Sequence, residues 1–205
     1  MTGKADAHWE NVYATKDSEQ VSWFEETPAL SLELIAAAYE GRGGVIDIGG
    51  GASRLAGALV DAGYAPVAVL DLSANALSVA KAALGKRADV IEWIVADVTE
   101  WHPVNRYDVW HDRAAFHFLI EPAQQRAYAQ VLGAALNLGG IAIIGTFAPD
   151  GPEKCSGLPV ARHDAASIAA ILGDGFDLLG KRRHDHVTPG GSVQRFQFST
   201  FRRVS

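Results

Sequence analysis

Val45-Ile46-Asp47-Ile48-Gly49-Gly50-Gly51-Ala52-Ser53 is a short apolar run that ends in a cluster of glycines. It reads as a buried strand emptying into a tight loop. The same kind of run recurs along the chain, alternating with helical patterns. Residues 45–48 precede a helix at 54–62, residues 67–70 precede one at 74–84, and residues 90–95 form a third run. Residues 109–111 then precede a helix at 124–138, and residues 141–146 close the series. Continuous β-branched runs are strands covered on both faces, and the crossover helices between them supply the cover. The alternation therefore predicts an α/β fold with a doubly wound, mostly parallel sheet.

Local signals agree. Ser73 sits where an N-cap opens the helix at 74–84, and Pro122 sits where a first helical turn tolerates a missing N–H. Tyr128, Val131, Leu132, Ala135 and Leu136 make one apolar helix face, and Gly139-Gly140 is expected to stop that helix. Before the sheet, a polar segment holds Trp9, Tyr13, Trp23 and Phe24, followed by a helix at 28–39. After it, residues 176–179 and 195–201 read as two strands joined by a turn near 188–191, with Phe196 and Phe198 on one face.

Of the 205 residues, 48% are hydrophobic and 20% charged, which suits one globular domain with a buried core. Every apolar run is too short to span a bilayer, and Met1 to His8 lacks the basic-then-apolar order of a secretory signal. Cys155 is the only cysteine, so internal disulfides and cysteine-rich zinc sites are excluded, and a cytoplasmic location is expected. The net charge of −6 offers no footprint for nucleic acid, since the one basic cluster, Lys181-Arg182-Arg183, is short. Neither a nucleic-acid nor a membrane partner is expected.

A glycine-rich turn after the first strand of a parallel sheet is where such sheets receive nucleotides. The dinucleotide fingerprint asks for a third glycine where this chain has Arg54, and Asp47 within the strand would repel a pyrophosphate. A phosphate-free cationic ligand fits better, and S-adenosylmethionine carries an ammonium and a sulfonium. Asp71 closes the second strand, where a carboxylate accepts hydrogen bonds from ribose hydroxyls. Asp97 follows the third, positioned for an adenine amino group while Val98 packs on the ring. Each Asp alone reads equally well as a turn or helix cap. Three in succession behind a glycine loop argue for a cofactor site.

On these residues, together with Asp71-Leu72-Ser73, Tyr107 to Arg113 and Leu138-Gly139-Gly140, the chain resembles the class I S-adenosylmethionine-dependent methyltransferases from about Trp9 to Arg203. The resemblance implies a Rossmann-like, seven-stranded sheet whose last strand is antiparallel and inserted between the fifth and sixth. It implies a single domain over 1–205, with a lid and helix at 1–40 and a core at 43–205. Ser53 departs from the family, standing where a third alternating glycine is common. Trp9, Tyr13 and Trp23 then become a lid over the cofactor, with ordinary packing on the sheet as the competing reading. The cofactor-binding set is Trp9, Tyr13, Trp23, Asp47, Gly49, Gly50, Gly51, Ser53, Arg54, Asp71, Leu72, Asp97, Val98, His111 and Arg113, with Arg54 reaching the methionine carboxylate.

Methyl transfer from a sulfonium is an in-line displacement that needs alignment and exclusion of water. His117 and Asp112 are the candidate catalytic groups, because His117 titrates near neutrality when unperturbed. Phe116, Phe147 and Cys155 are the candidate acceptor contacts, Cys155 lying in a long irregular segment expected to form an ordered lid. His184 and His186 share one face of a strand, but no third ligand can be named, so no metal is expected. A small-molecule acceptor is favoured by the absence of an added recognition region. A protein lysine is the alternative, with Glu25, Glu26, Trp23 and Asp150 as its rim. A nicotinamide-dependent oxidoreductase and a non-catalytic cofactor-binding module are the readings from other classes.

Overall fold

The computed structural model describes residues 2–15 and 19–205, with side chains from Ala7 onward. Helix α1 (Thr2–Thr15) and helix α2 (Ala29–Ala38) precede strand β1 (Val45–Ile48). There follow α3 (Leu55–Asp61), β2 (Val67–Asp71), α4 (Ala74–Leu84), β3 (Ile91–Val95), β4 (Tyr107–Arg113), α5 (Pro122–Ala135) and β5 (Leu136–Phe147). A short hairpin, β6 (Lys154–Cys155) and β7 (Leu158–Pro159), leads to α6 (Ala165–Leu172) and the long strands β8 (Phe176–Val187) and β9 (Val193–Arg203).

Seven strands make one sheet in the order β3-β2-β1-β4-β5-β9-β8. The first five are parallel, and β9 lies antiparallel between β5 and β8. The chain order therefore reverses at β1, between β2 and β4, and a crevice opens there beyond the carboxyl ends of the strands, which is where ligands of such sheets sit.

All four residues of β1 are buried, and they alternate between two cores. Val45 joins one with Ile35 of α2, Leu59 of α3 and Leu77 of α4. Ile46 and Ile48 join the other with Tyr128 and Leu132 of α5 and Ile168 of α6. Each face of the sheet thus has its own apolar layer, as continuous strand runs require.

Ser73 caps α4 as its sequence position predicts, accepting from the Ala76 N–H at 3.0 Å. Other boundaries differ. Helix α5 ends at Ala135, three residues short of the expected stop, because Leu136 already pairs with Tyr107 as β5 begins. Gly139, at φ 79°, and Gly140 form an irregularity inside β5 instead of ending a helix. A Cβ on Gly140 would stand 2.8 Å from the Asn137 carbonyl oxygen. Helix α6 was not expected, although Asp164 caps it by accepting from the Ser167 N–H at 2.8 Å and Gly173 follows it. The expected hairpin is present but far longer, and its outer strand carries the basic cluster, Arg182 paired with Glu33 and Arg183 with Asp150.

Candidate functional site

Asp47 points from β1 toward α2 and is buried. Its Oδ1 lies 2.7 Å from His111 Nδ1 on the adjacent β4, and His111 Nε2 lies 2.9 Å from Ser31 Oγ on α2. The strand end thereby holds a carboxylate in a fixed direction. Directly after it the loop turns with Gly49 at φ 64° and Gly51 at φ 42°, conformations that side chains disfavour. Space forbids side chains here too: a Cβ on Gly49 would come within 2.6 Å of Ala115 Cβ, and one on Gly50 within 2.5 Å of Asp47 Oδ2. The backbone is bare where a ligand approaches it.

Asp71 ends β2 beside this loop. Its Oδ1 accepts from the Ser73 N–H at 2.8 Å, and burial pushes its pKa up to about 6, against the pull of the Ser73 and Gly51 N–H groups. Nearby Asp47 and Glu10 raise it further. A buried carboxylate with a raised pKa gains from any ligand that donates to it, as vicinal ribose hydroxyls do. Leu72 follows at the strand end. Asp97 spends its Oδ1 on the Thr99 N–H and hydroxyl, at 2.8 and 2.7 Å, so it closes its own turn, and Val98 packs into the core with Leu70.

Helix α1 and the segment after it cover this end of the sheet. Tyr13 hydroxyl accepts from Trp23 Nε1 at 3.2 Å and stands as close to the Gly51 position as Asp71 does. Trp9 packs edge-on against Trp23 and Phe118, centroids 5.6 and 5.1 Å apart. Burial, then Asp71, raises the Tyr13 phenol further above its ordinary range, so it stays neutral. Arg113, at the end of β4, anchors the cover: its Nη1 donates to the Trp23 carbonyl at 2.9 Å and its Nη2 lies 3.0 Å from Glu25 Oε1. The aromatic cover is therefore tied to the sheet, as a lid would be.

One narrow cavity brings together nine of the expected cofactor residues: Tyr13, Trp23, Asp47, Gly49, Gly50, Ser53, Arg54, His111 and Arg113. Gly51 and Asp71 adjoin it through Tyr13, and Trp9 backs Trp23. Ser53 also accepts from the Leu55 N–H at 3.0 Å, helping to start α3. Arg54 is half exposed, paired with Glu19 at 2.6 Å and stacked over Phe24. Ser31 and Glu25 also line the cavity. Ser31 was missed, and no local signal marks it, because its partner lies eighty positions away.

The residues expected on the acceptor side lie outside the lining of this cavity. Asp112 is wholly buried on the opposite sheet face from His111, accepting from the Ala115 and Phe116 N–H groups and the Tyr128 hydroxyl. It pins the turn after β4 and does not line the cavity at the glycine loop. Phe116 packs in that same core against Tyr128 and His163. His117 is enclosed between Phe118 and Phe147, centroids 4.5 and 4.8 Å away, with neither ring nitrogen hydrogen-bonded. Burial, reinforced by His163 and Arg113, drives its pKa down to about 3, so it is a poor proton acceptor near neutrality. Phe147 is fully buried beside it. Cys155 is buried, its thiol pushed up to about 11 chiefly by burial, and so it behaves as a small apolar side chain. The segment around it is ordered as the β6–β7 hairpin, touched by α1 through His8 and Ser156 at 3.3 Å.

Residues 45–140 match the model of a methyltransferase domain family. This stretch runs from β1 into β5 and contains the glycine loop, Asp71 and Arg113. No curated protein sequence matches the chain. Among solved structures, a Burkholderia thailandensis 1,6-didemethyltoxoflavin-N1-methyltransferase, with 1,6-didemethyltoxoflavin and S-adenosylhomocysteine bound, is similar at TM-score 0.73 and 20% identity, covering 100% of this chain and 91% of that one. The N-methyltransferase NodS from Bradyrhizobium japonicum WM9, with S-adenosylhomocysteine, is similar at TM-score 0.70 and 16% identity, covering 98% and 99%. A protein from work on the conversion of a disulfide bond into a thioacetal group during echinomycin biosynthesis reaches TM-score 0.76 and 22% identity, covering 96% and 90%.

The fold is the one these methyltransferases share, and residues 45–140 carry the match to a methyltransferase domain. The residues of this chain fit S-adenosylmethionine as a cofactor: a glycine loop bare of side chains at 49–51, a buried acid raised in pKa, and no phosphate-binding glycine at Arg54.

Proposed function

We propose that this enzyme methylates a small-molecule acceptor by in-line displacement, inside the cavity enclosed by the glycine loop and the α1 lid. The observation that carries this reading is that enclosure: Tyr13, Trp23 and Arg113 close over Asp47 and the Gly49–Gly50 backbone, leaving a narrow internal space. The bound cofactor supplies a methyl group on a sulfonium, which an acceptor lone pair takes as the carbon–sulfur bond breaks.

The chain's own residues bind, orient and exclude water. Asp71 accepts from the ribose hydroxyls, and Leu72, Asp97 and Val98 bound the adenine end. The Gly49–Gly51 backbone and Ser53 allow close approach. Asp47, held by His111 and Ser31, faces the ammonium, and the guanidinium of Arg54 or Arg113 meets the carboxylate. Trp9, Tyr13 and Trp23 keep the reacting centre dry. No side chain is assigned as a general base. The acceptor atom must then be nucleophilic in the form that enters, as a ring nitrogen, an amine or a thiolate is, and any proton it carries leaves to solvent afterward.

Support for a small acceptor comes from the similar structures, one of them holding 1,6-didemethyltoxoflavin. The protein-lysine alternative has less to stand on, because two of the acids of its rim already have cationic partners, Glu25 in Arg113 and Asp150 in Arg183. The deciding experiment gives methyl-labelled cofactor and the enzyme to a cell extract and separates protein from small molecules. Label is expected in the small-molecule fraction, and label confined to protein lysines would overturn the proposal.

A further inference from the structure

The two histidines of β8 that sequence alone left without a role meet a third residue in the fold. His184 and His186 are two apart on a strand, so both rings lean on the same sheet face, against Phe198 and Phe196 at 6.4 and 6.3 Å. Glu25, from the segment between α1 and α2, reaches the same place. His186 Nδ1 lies 3.6 Å from Glu25 Oε1, and one donor atom from each of Glu25, His184 and His186 lies within 4.8 Å of the others.

We propose that Glu25, His184 and His186 bind a divalent transition-metal ion of the zinc class, joining the lid segment to the edge strand. Two imidazoles and a carboxylate form a three-ligand set that zinc takes when a coordination position is left open. Imidazole donors favour zinc, copper, nickel or ferrous iron over magnesium and calcium. His186 is already oriented as metal-binding histidines are: Nε2 donates to the Ser22 carbonyl at 2.9 Å, which leaves the Nδ1 lone pair facing Glu25. Glu25 is steadied in turn by Arg113 at 3.0 Å.

The Arg113 guanidinium faces the site and opposes a cation, while Asp185, between the two histidines and so on the other sheet face, favours one only at a distance. Arg113 therefore holds the affinity below that of an all-anionic site. Ligation at about 2.0–2.2 Å draws donor atoms to roughly 3.5 Å from one another. Half-buried His184 has the torsional freedom to close that gap.

The test uses the purified full chain, stripped with chelator and titrated with zinc chloride alone by calorimetry and by competition with a chromophoric chelator. One equivalent is expected to bind, and His184→Ala and Glu25→Gln should each weaken it by tenfold or more, with circular dichroism verifying that both variants fold. Zinc should also slow proteolysis between residues 19 and 27 in the parent and not in His184→Ala. Absence of stoichiometric binding, binding unchanged in both variants, or displacement of zinc by equimolar magnesium would each overturn the site.

Discussion

Asp71 carries a cost that its ligand removes. Its folded pKa of about 6 lies above the ordinary value of 3.8, so between these values the folded chain holds a proton that the unfolded chain has released. Stability from this group is greatest below the unfolded value and falls as pH rises toward 6, by an amount on the order of 3 kcal/mol once the carboxylate is ionised. A ligand donating hydroxyls favours the ionised form. Cofactor affinity is therefore expected to be flat above pH 7 and to weaken by up to about tenfold per unit below 6, with proton release on binding. Calorimetry in buffers of different ionisation heat measures both, and Asp71→Asn should bind weakly at all pH values with the dependence gone. His117 makes the opposite case. Its imidazole is buried with both nitrogens unsatisfied, so His117→Leu is expected to raise stability by about 1 kcal/mol and to leave turnover within threefold. A hundredfold fall in turnover by a stable His117→Leu variant would restore it as a catalytic group.

At the scale of elements, Ser73 separates two tasks in one residue: its side chain caps α4 and its backbone N–H holds Asp71. Ser73→Ala should cost about 1 kcal/mol in chemical denaturation and change cofactor affinity little. Trp23 likewise serves two partners, Tyr13 through its indole and Arg113 through its carbonyl. Only the first is lost in Trp23→Ala, together with the ring that packs on Trp9, and turnover is expected to drop more than tenfold while cofactor affinity falls less. Steady-state kinetics beside binding titrations would show the split.

These elements also mark how far sequence reasoning reaches. Strand ends, glycine loop and N-cap were legible because each is written in a few adjacent residues. The end of α5 was not, since Leu136 continues the helical period and only pairing with Tyr107 draws it into β5. His111 and Asp112 were both named as site residues, yet successive strand residues face opposite sides, and only His111 shares the side of Asp47. Glu25 and Ser31 gain their roles from strands far along the chain, and no local pattern announces that.

For the molecule as a whole, two apolar layers share one sheet, and the cavity sits where that sheet's winding reverses. Ligand binding at such a junction should be felt globally. S-adenosylhomocysteine at a hundred times its dissociation constant is expected to add about 2.7 kcal/mol, or roughly 5–10 °C of melting temperature for a chain of this size. A scan showing no shift at saturation would contradict the binding assigned to this cavity. The position of β9 has a further consequence, in time as opposed to space. Because β9 is made after β8 yet lies inside it, β8 can join the sheet only after β9 has docked against β5. A chain emerging from the ribosome can assemble β1 to β5 early, but its basic outer strand must wait until β9 has followed it out, so that half of the sheet closes later than the rest.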